Sequence, residues 1–153
     1  MTASAATPGR TARTIAEVLA EARGRLHRLT PAEAELAAAR GAVVVDIRPS
    51  EQRREHGELD LAIPIERNVL EWRLDPSSDA ALPFAGHDLE VIVLCQEGYT
   101  SSLAAAALQD LGIDRATDVI GGYAAWRAHA EALASEAGEG AEAREDSPVD
   151  PEP

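Results

Sequence analysis

At 153 residues and 45% hydrophobic content the chain can bury one core of ordinary size, and with aromatics at only 3% that core must be built from Ala, Val, Leu and Ile. The formal net charge of −13, with every basic residue an arginine, argues against nucleic acid as a partner, because neutralising phosphates takes clustered cations. A single cysteine excludes an internal disulfide, and the lack of any run of about 18 apolar residues excludes a membrane span.

The first residues, MTASAATPGRTA, hold little that could pack, and residues 1–13 are expected to be a disordered tail. They carry no apolar secretory segment, so a cytoplasmic location is expected; abundant Ala and the absence of Lys suggest a GC-rich bacterial gene. Ile15, Val18, Leu19, Ala22 and Leu26 recur at helical spacing, which predicts an amphipathic helix over 14–24. Thr30-Pro31-Ala32-Glu33 supplies a capping Thr, a first-turn Pro and a Glu three residues after the cap, so a second helix starts there and stops at Gly41. The β-branched run 42–47 predicts a strand buried on both faces and ended by Pro49. A short polar helix follows over 50–56, then a brief strand at 61–63, a helix over 67–74 ended near Asp75-Pro76, and a loop from 77 to 88.

Val91 to Leu94 predicts a second buried strand that runs straight into Cys95. Residues 101–111 form a helix of small side chains stopped by Gly112, and Val119-Ile120 closes a third strand. Gly121-Gly122 turns the chain into a last helix over 123–133. From 134 to 153 seven carboxylates face one Arg144 with almost no large apolar residue, which predicts a disordered acidic tail. One domain over 14–133 remains, of the α/β class, with a parallel sheet covered on both faces.

The segment with chemistry in it is Cys95-Gln96-Glu97-Gly98-Tyr99-Thr100-Ser101, between a strand and a helix. Open parallel sheets collect ligands at the carboxyl ends of their strands. A thiol placed there faces the free N–H groups and positive dipole end of the next helix, and a tight turn at Gly98 can point successive amides inward as an anion-binding nest. Both favour thiolate over thiol and would equally hold a persulfide anion. The alternative is a small buried hydrophobe, the usual state of a free cysteine.

Taken together, VVVDIRPSEQRREHGEL…AIPI, CQEGYTSSLAAAALQDLGI and VIGGYAAW resemble the rhodanese homology domain. The likeness rests on Asp46-Ile47-Arg48, on Gly57 with Leu59 and Ala62, on Cys95-x-x-Gly98, and on Gly121-Gly122 with Trp126; it covers about residues 28–130 in order. It implies a rhodanese-like sheet of roughly five parallel strands with helices on both faces. It also implies a sulfurtransferase whose cysteine takes sulfur from a small-molecule donor or a protein persulfide and hands it to cyanide, a thiol or a protein. No metal or organic cofactor is implied.

Three positions depart from the family pattern. Thr100 stands where many single-domain members end the loop with Arg, which removes a fixed positive charge. Gln96 and Glu97 stand where thiosulfate-preferring members place basic residues, and a carboxylate facing a dianion is unfavourable by about 1 kcal/mol at 4 Å in water. Glu58-Leu59-Asp60-Leu61 replaces a His, a Pro and a second Gly. Phosphoryl transfer through a cysteine loop calls for Arg six residues after Cys to clamp the phosphate; that position is Ser101, so the loop is not read as a phosphatase loop.

The expected binding set is therefore Gln96, Glu97, Gly98, Tyr99, Thr100, Ser101 and Arg48 around catalytic Cys95, with Asp46 structural beside it. Arg48 either supplies positive potential near Cys95 or closes a strand-end ion pair with Asp46, which otherwise would orient loop amides. Arg53 and Arg54 either border the pocket or are solvated helix charges. Ser101 and Ser102 offer a hydroxyl to the sulfur or cap the helix, Tyr99 either rims the pocket or is a plain exposed loop residue, and Trp72 and Trp126 are expected core anchors. His27, His56, His87 and His129 show no metal-ligand spacing with Cys95. The competing function is a rhodanese-fold binding or redox-sensing module without turnover.

Overall fold

The computed structural model describes residues 11–145, and the expected N-terminal tail lies outside them except for its last three residues. In chain order the elements are α1 (Ile15–Arg25), α2 (Pro31–Ala39), β1 (Val43–Asp46), α3 (Ser50–His56) and β2 (Ile63–Pro64). A 3-10 turn over Arg67–Val69 then leads into α4 (Leu70–Leu74), β3 (Val91–Leu94), α5 (Thr100–Asp110), β4 (Thr117–Asp118) and α6 (Gly122–Glu145). All four strands are parallel, in the order β2-β1-β3-β4. No helix among the described residues is long and apolar enough to cross a membrane.

The β-branched runs form β1 and β3, which pair in the middle with Val43 opposite Val91 and Asp46 opposite Leu94. Because side chains alternate across a strand, each run divides between two cores. Val45, Val91 and Val93 face one layer with Leu70, Leu74, Ala104, Ala105 and Leu108, while Val44, Ile92 and Leu94 face the other with Leu29, Ala34, Ala37, Tyr123 and Trp126. Helices therefore cover both faces, as continuous apolar strands require. Small residues on α2 and α5 let the helices approach the sheet where the sequence has few aromatics to fill space.

The sheet has four strands rather than roughly five. The fifth place is filled by a single parallel bridge between Leu29 and Val119, closed by Leu29 N–H donating to Asp118 C=O at 3.0 Å and Ile120 N–H to Leu29 C=O at 2.8 Å. Only Leu26 to Thr30 separate α1 from α2, which leaves no length for a ladder. β4 falls at 117–118, just before the Val119-Ile120 expected to close it, and β2 at 63–64, starting two residues after the expected 61; the predicted helix over 67–74 opens as a 3-10 turn. Trp126 is a core anchor at 1% exposure, but Trp72 is 61% exposed and anchors nothing. α6 passes the expected stop at 133 and continues to Glu145, so residues 134–145 are helical; the Ala and Glu of this stretch have high intrinsic helix propensity. The rest of the expected acidic tail, 146–153, lies outside the described residues.

The predicted start of α2 is a complete capping box. Thr30 Oγ1 accepts from Glu33 N–H at 3.2 Å, and Glu33 Oε1 accepts from Thr30 N–H at 3.0 Å. Thr30→Ala is expected to cost about 1 kcal/mol in urea denaturation near neutral pH. The Thr30 N–H holds the Glu33 carboxyl below its ordinary value. The folded state thus binds that proton less readily, and the contribution is present above the unfolded pKa and fades as pH falls through the lowered folded one. A Glu33→Ala penalty that does not shrink in acid would contradict this.

Candidate active site

Cys95 follows the last residue of β3, and its side chain is buried at 5% exposure. Its Sγ accepts from Gly98 N–H at 3.2 Å and from Ser101 N–H at 3.4 Å. The second of these amides belongs to the first turn of α5, where helix N–H groups have no intrahelical acceptor. The sulfur therefore lies at the positive end of an eleven-residue helix with two amides already directed at it.

The back of the loop explains its conformation. Cys95 C=O accepts from Tyr123 N–H at 2.8 Å and Gln96 C=O from Ala124 N–H at 3.0 Å, so the start of α6 fastens two loop carbonyls. Gly98 C=O is fastened by Arg23 Nη2 at 2.8 Å and Arg28 Nη2 at 3.0 Å. In a planar trans peptide the N–H points opposite to the C=O. Tying back these three carbonyls turns the N–H groups of Gln96, Glu97 and Tyr99 to the other side. Among the described residues those three amides have no protein acceptor.

Two glycines make the approach possible. Gly98 has φ +84°, and a Cβ there would stand 2.9 Å from Gly121 N and 3.0 Å from Val119 O. Gly122 has φ +62°, and a Cβ there would stand 2.7 Å from Gly98 N and closer still to Cys95 O. Only residues without a side chain let loop and α6 meet.

Beneath the loop lies a buried polar cluster that sequence reading missed. Asp118, with no solvent exposure, accepts from Ser101 Oγ at 2.7 Å, Ser102 Oγ at 2.8 Å and Arg28 Nε at 2.8 Å. Arg23 Nε donates to Ser102 Oγ at 3.2 Å and its guanidinium lies 5.4 Å from the Tyr99 ring. The signal available in sequence was an Asp breaking into the apolar Val119-Ile120 run; the arginines of α1 and its exit lie some 70 residues from the loop they hold.

The expected site residues divide into two groups. Gln96, Glu97, Tyr99 and Thr100 line a pocket of about 350 Å³ beside Cys95, whose opposite wall includes Pro49 and Gln52. Gly98 and Ser101 act through their amides; the Ser101 hydroxyl goes to Asp118 and not to the sulfur. Arg48 also lines the pocket but directs its guanidinium elsewhere. It donates to Asp46 from Nε and Nη2, to Gly57 C=O at 2.9 Å and to Gln96 Oε1 at 3.0 Å, stacked 3.9 Å from the Tyr123 ring. Asp46 touches no loop amide and instead accepts from Arg48, including its backbone N–H at 3.0 Å. The pair is thus a strand-end anchor that fixes Gln96. Arg53 pairs with Glu58 and Arg54 is exposed; neither lines the pocket. Among the described residues no three His, Cys, Asp or Glu side chains are placed to hold a metal ion.

Residues 30–129 match the family model described as a rhodanese-like domain. Over 87 residues the chain is 33% identical to the adenylyltransferase and sulfurtransferase MOCS3-1 of Zea mays, a match covering 55% of this chain and 18% of that protein. The chain therefore spans less than a fifth of that curated relative. A solved structure from Rhodopseudomonas palustris, of a protein of unknown function termed a possible tyrosine phosphatase, is 31% identical, with TM-score 0.71, over 82% of this chain and 97% of that one. The human single-domain sulfurtransferase TSTD1 shares the fold at 24% identity and TM-score 0.55, over 65% of this chain and 93% of that one.

Proposed function

The chain belongs to the rhodanese-like domain family, and from that premise we propose that it is a sulfurtransferase carrying sulfane sulfur as a persulfide on Cys95. The Cys95 thiolate attacks the outer sulfur of a donor; a new bond forms between Sγ and that sulfur. The bond from that sulfur to the rest of the donor breaks, and its electron pair leaves on the donor as a thiolate, or as sulfite when the donor is thiosulfate. A nucleophile such as cyanide then takes the outer sulfur of Cys95–S–S⁻ and returns the Cys95 thiolate, so no oxidant or reductant is needed. The two half-reactions share one covalent intermediate.

The observation that carries this reading is the set of inward amides. Gly98 and Ser101 donate to Sγ, and the N–H groups of Gln96, Glu97 and Tyr99, turned away from their fastened carbonyls, have no protein acceptor among the described residues. A row of donors without protein acceptors beside a buried sulfur suits an added anionic atom. Phosphate chemistry is less well served, because Ser101 stands in place of the clamping arginine and Arg48 already has its partners.

Thiocyanate formation from cyanide, with a cysteine persulfide as donor, tests the proposal. Parallel double-reciprocal lines are expected, together with no turnover by Cys95→Ser. Folded protein that forms no thiocyanate yet oxidises readily to a sulfenate would favour the redox-sensing alternative, and hydrolysis of an aryl phosphate through Cys95 would favour a phosphatase.

A further inference from the structure

The pocket beside Cys95 does not end at Thr100. Ile47 and Pro49 form part of its wall and equally part of a second hollow of about 440 Å³ that runs over the starts of α3 and of the 3-10 turn, past Glu51, Glu66 and Arg67. The two hollows adjoin at that shared wall, and the cleft they make up together offers more room than a small inorganic dianion needs. Its charges are one-sided. The two cations along it are already paired, Arg48 with Asp46 at 2.8 Å and Arg67 with Glu71 at 2.6 Å. The three carboxylates along it, Glu51, Glu66 and Glu97, are exposed and have no ion-pair partner among the described residues. The chain as a whole carries a formal charge of −13, which repels anions that come within about a Debye length of its surface.

Resting on the sulfurtransferase reading, we infer that the sulfur partner of Cys95 is an extended thiol persulfide whose body is cationic, and that Glu51, Glu66 and Glu97 select it against anionic donors. The amide cradle accepts the transferred sulfur with its negative charge. The body of the donor lies along the cleft, where an ammonium or guanidinium group meets the carboxylates and a carboxylate or sulfonate group is repelled. Of the three carboxylates Glu97, on the loop itself, is the closest in sequence to the reacting sulfur.

The test compares donors with the same reacting group and opposite body charge. The persulfides of cysteamine and of 3-mercaptopropionate are mixed with reduced protein, and loading of Cys95 is followed by stopped-flow quench and intact mass. A small free thiol serves as the reference for intrinsic reactivity. Relative to that reference, the cationic persulfide is expected to load Cys95 at least about tenfold faster than the anionic one at low salt. The preference should shrink with added salt and in Glu51→Gln/Glu66→Gln/Glu97→Gln, whose exposed isosteric changes leave the fold intact. Equal relative rates, or a preference unchanged in the triple variant, would overturn the selection while leaving the persulfide chemistry standing. Failure of both donors to load Cys95 would remove the sulfurtransferase reading and this inference with it.

Discussion

Gly122→Ala is expected to abolish sulfur transfer and to cost roughly 3 kcal/mol or more of stability, as strain at positive φ and overpacking add. The residue sits at φ +62°, and the added methyl would press on Cys95 C=O and lie 2.9 Å from the Gln96 carbonyl carbon. Both contacts are backbone, so no side chain can rotate away. Relief requires α6 and the loop to separate, which breaks the bonds from Tyr123 and Ala124 N–H to the loop carbonyls. Those bonds set the direction of the Gln96 and Glu97 amides, so the damage passes directly to the sulfur site. Thiocyanate assays and urea denaturation on the same sample check the expectation. A variant with wild-type turnover would show that the loop does not depend on this junction.

Asp118→Ala is the second large effect. It leaves the Arg28 guanidinium, only 16% exposed in its side chain, without its carboxylate, and removes the acceptor of Ser101 and Ser102. Breaking a buried ion pair from one side costs about 3 kcal/mol or more. Arg28 also holds Gly98 C=O, so its release loosens the peptide that aims the Tyr99 N–H at the site. A misplacement of that kind is expected to lower turnover by roughly 10- to 100-fold. Arg28→Lys gives the matching comparison, because one ammonium cannot serve Asp118 and Gly98 together. Turnover unchanged in both variants, with stability lost, would reduce the cluster to a structural role.

What was legible in the sequence was local. The strand Val91–Leu94 running into Cys95, the glycine at 98 and the helix after it follow from neighbouring residues, and so does the capping box from Thr30 to Glu33. What was not legible depends on contacts between distant segments. Arg23 and Arg28 look like ordinary surface charges until the fold brings them to Gly98. Arg48 carried two readings because its neighbour Asp46 is local but Gln96 and Gly57 C=O are not. Ser101 was offered to the sulfur through its hydroxyl, and the fold uses its amide because Asp118 lies on the other side. Trp72 failed as a core anchor because α4 turns it outward while Leu70 and Leu74 take the interior. The fifth strand shrank to a bridge because two well-capped helices leave too few residues between them.

The central claim is that peptide nitrogens gathered around one thiol hold an extra sulfur atom there. Intact and peptide mass spectrometry after exposure to a persulfide donor, with excess donor removed and no reductant present, tests it most directly. The account predicts a gain of about 32 Da, confined to the peptide containing Cys95, removed by cyanide and absent in Cys95→Ser. Folded wild-type protein that stays at its original mass would contradict it.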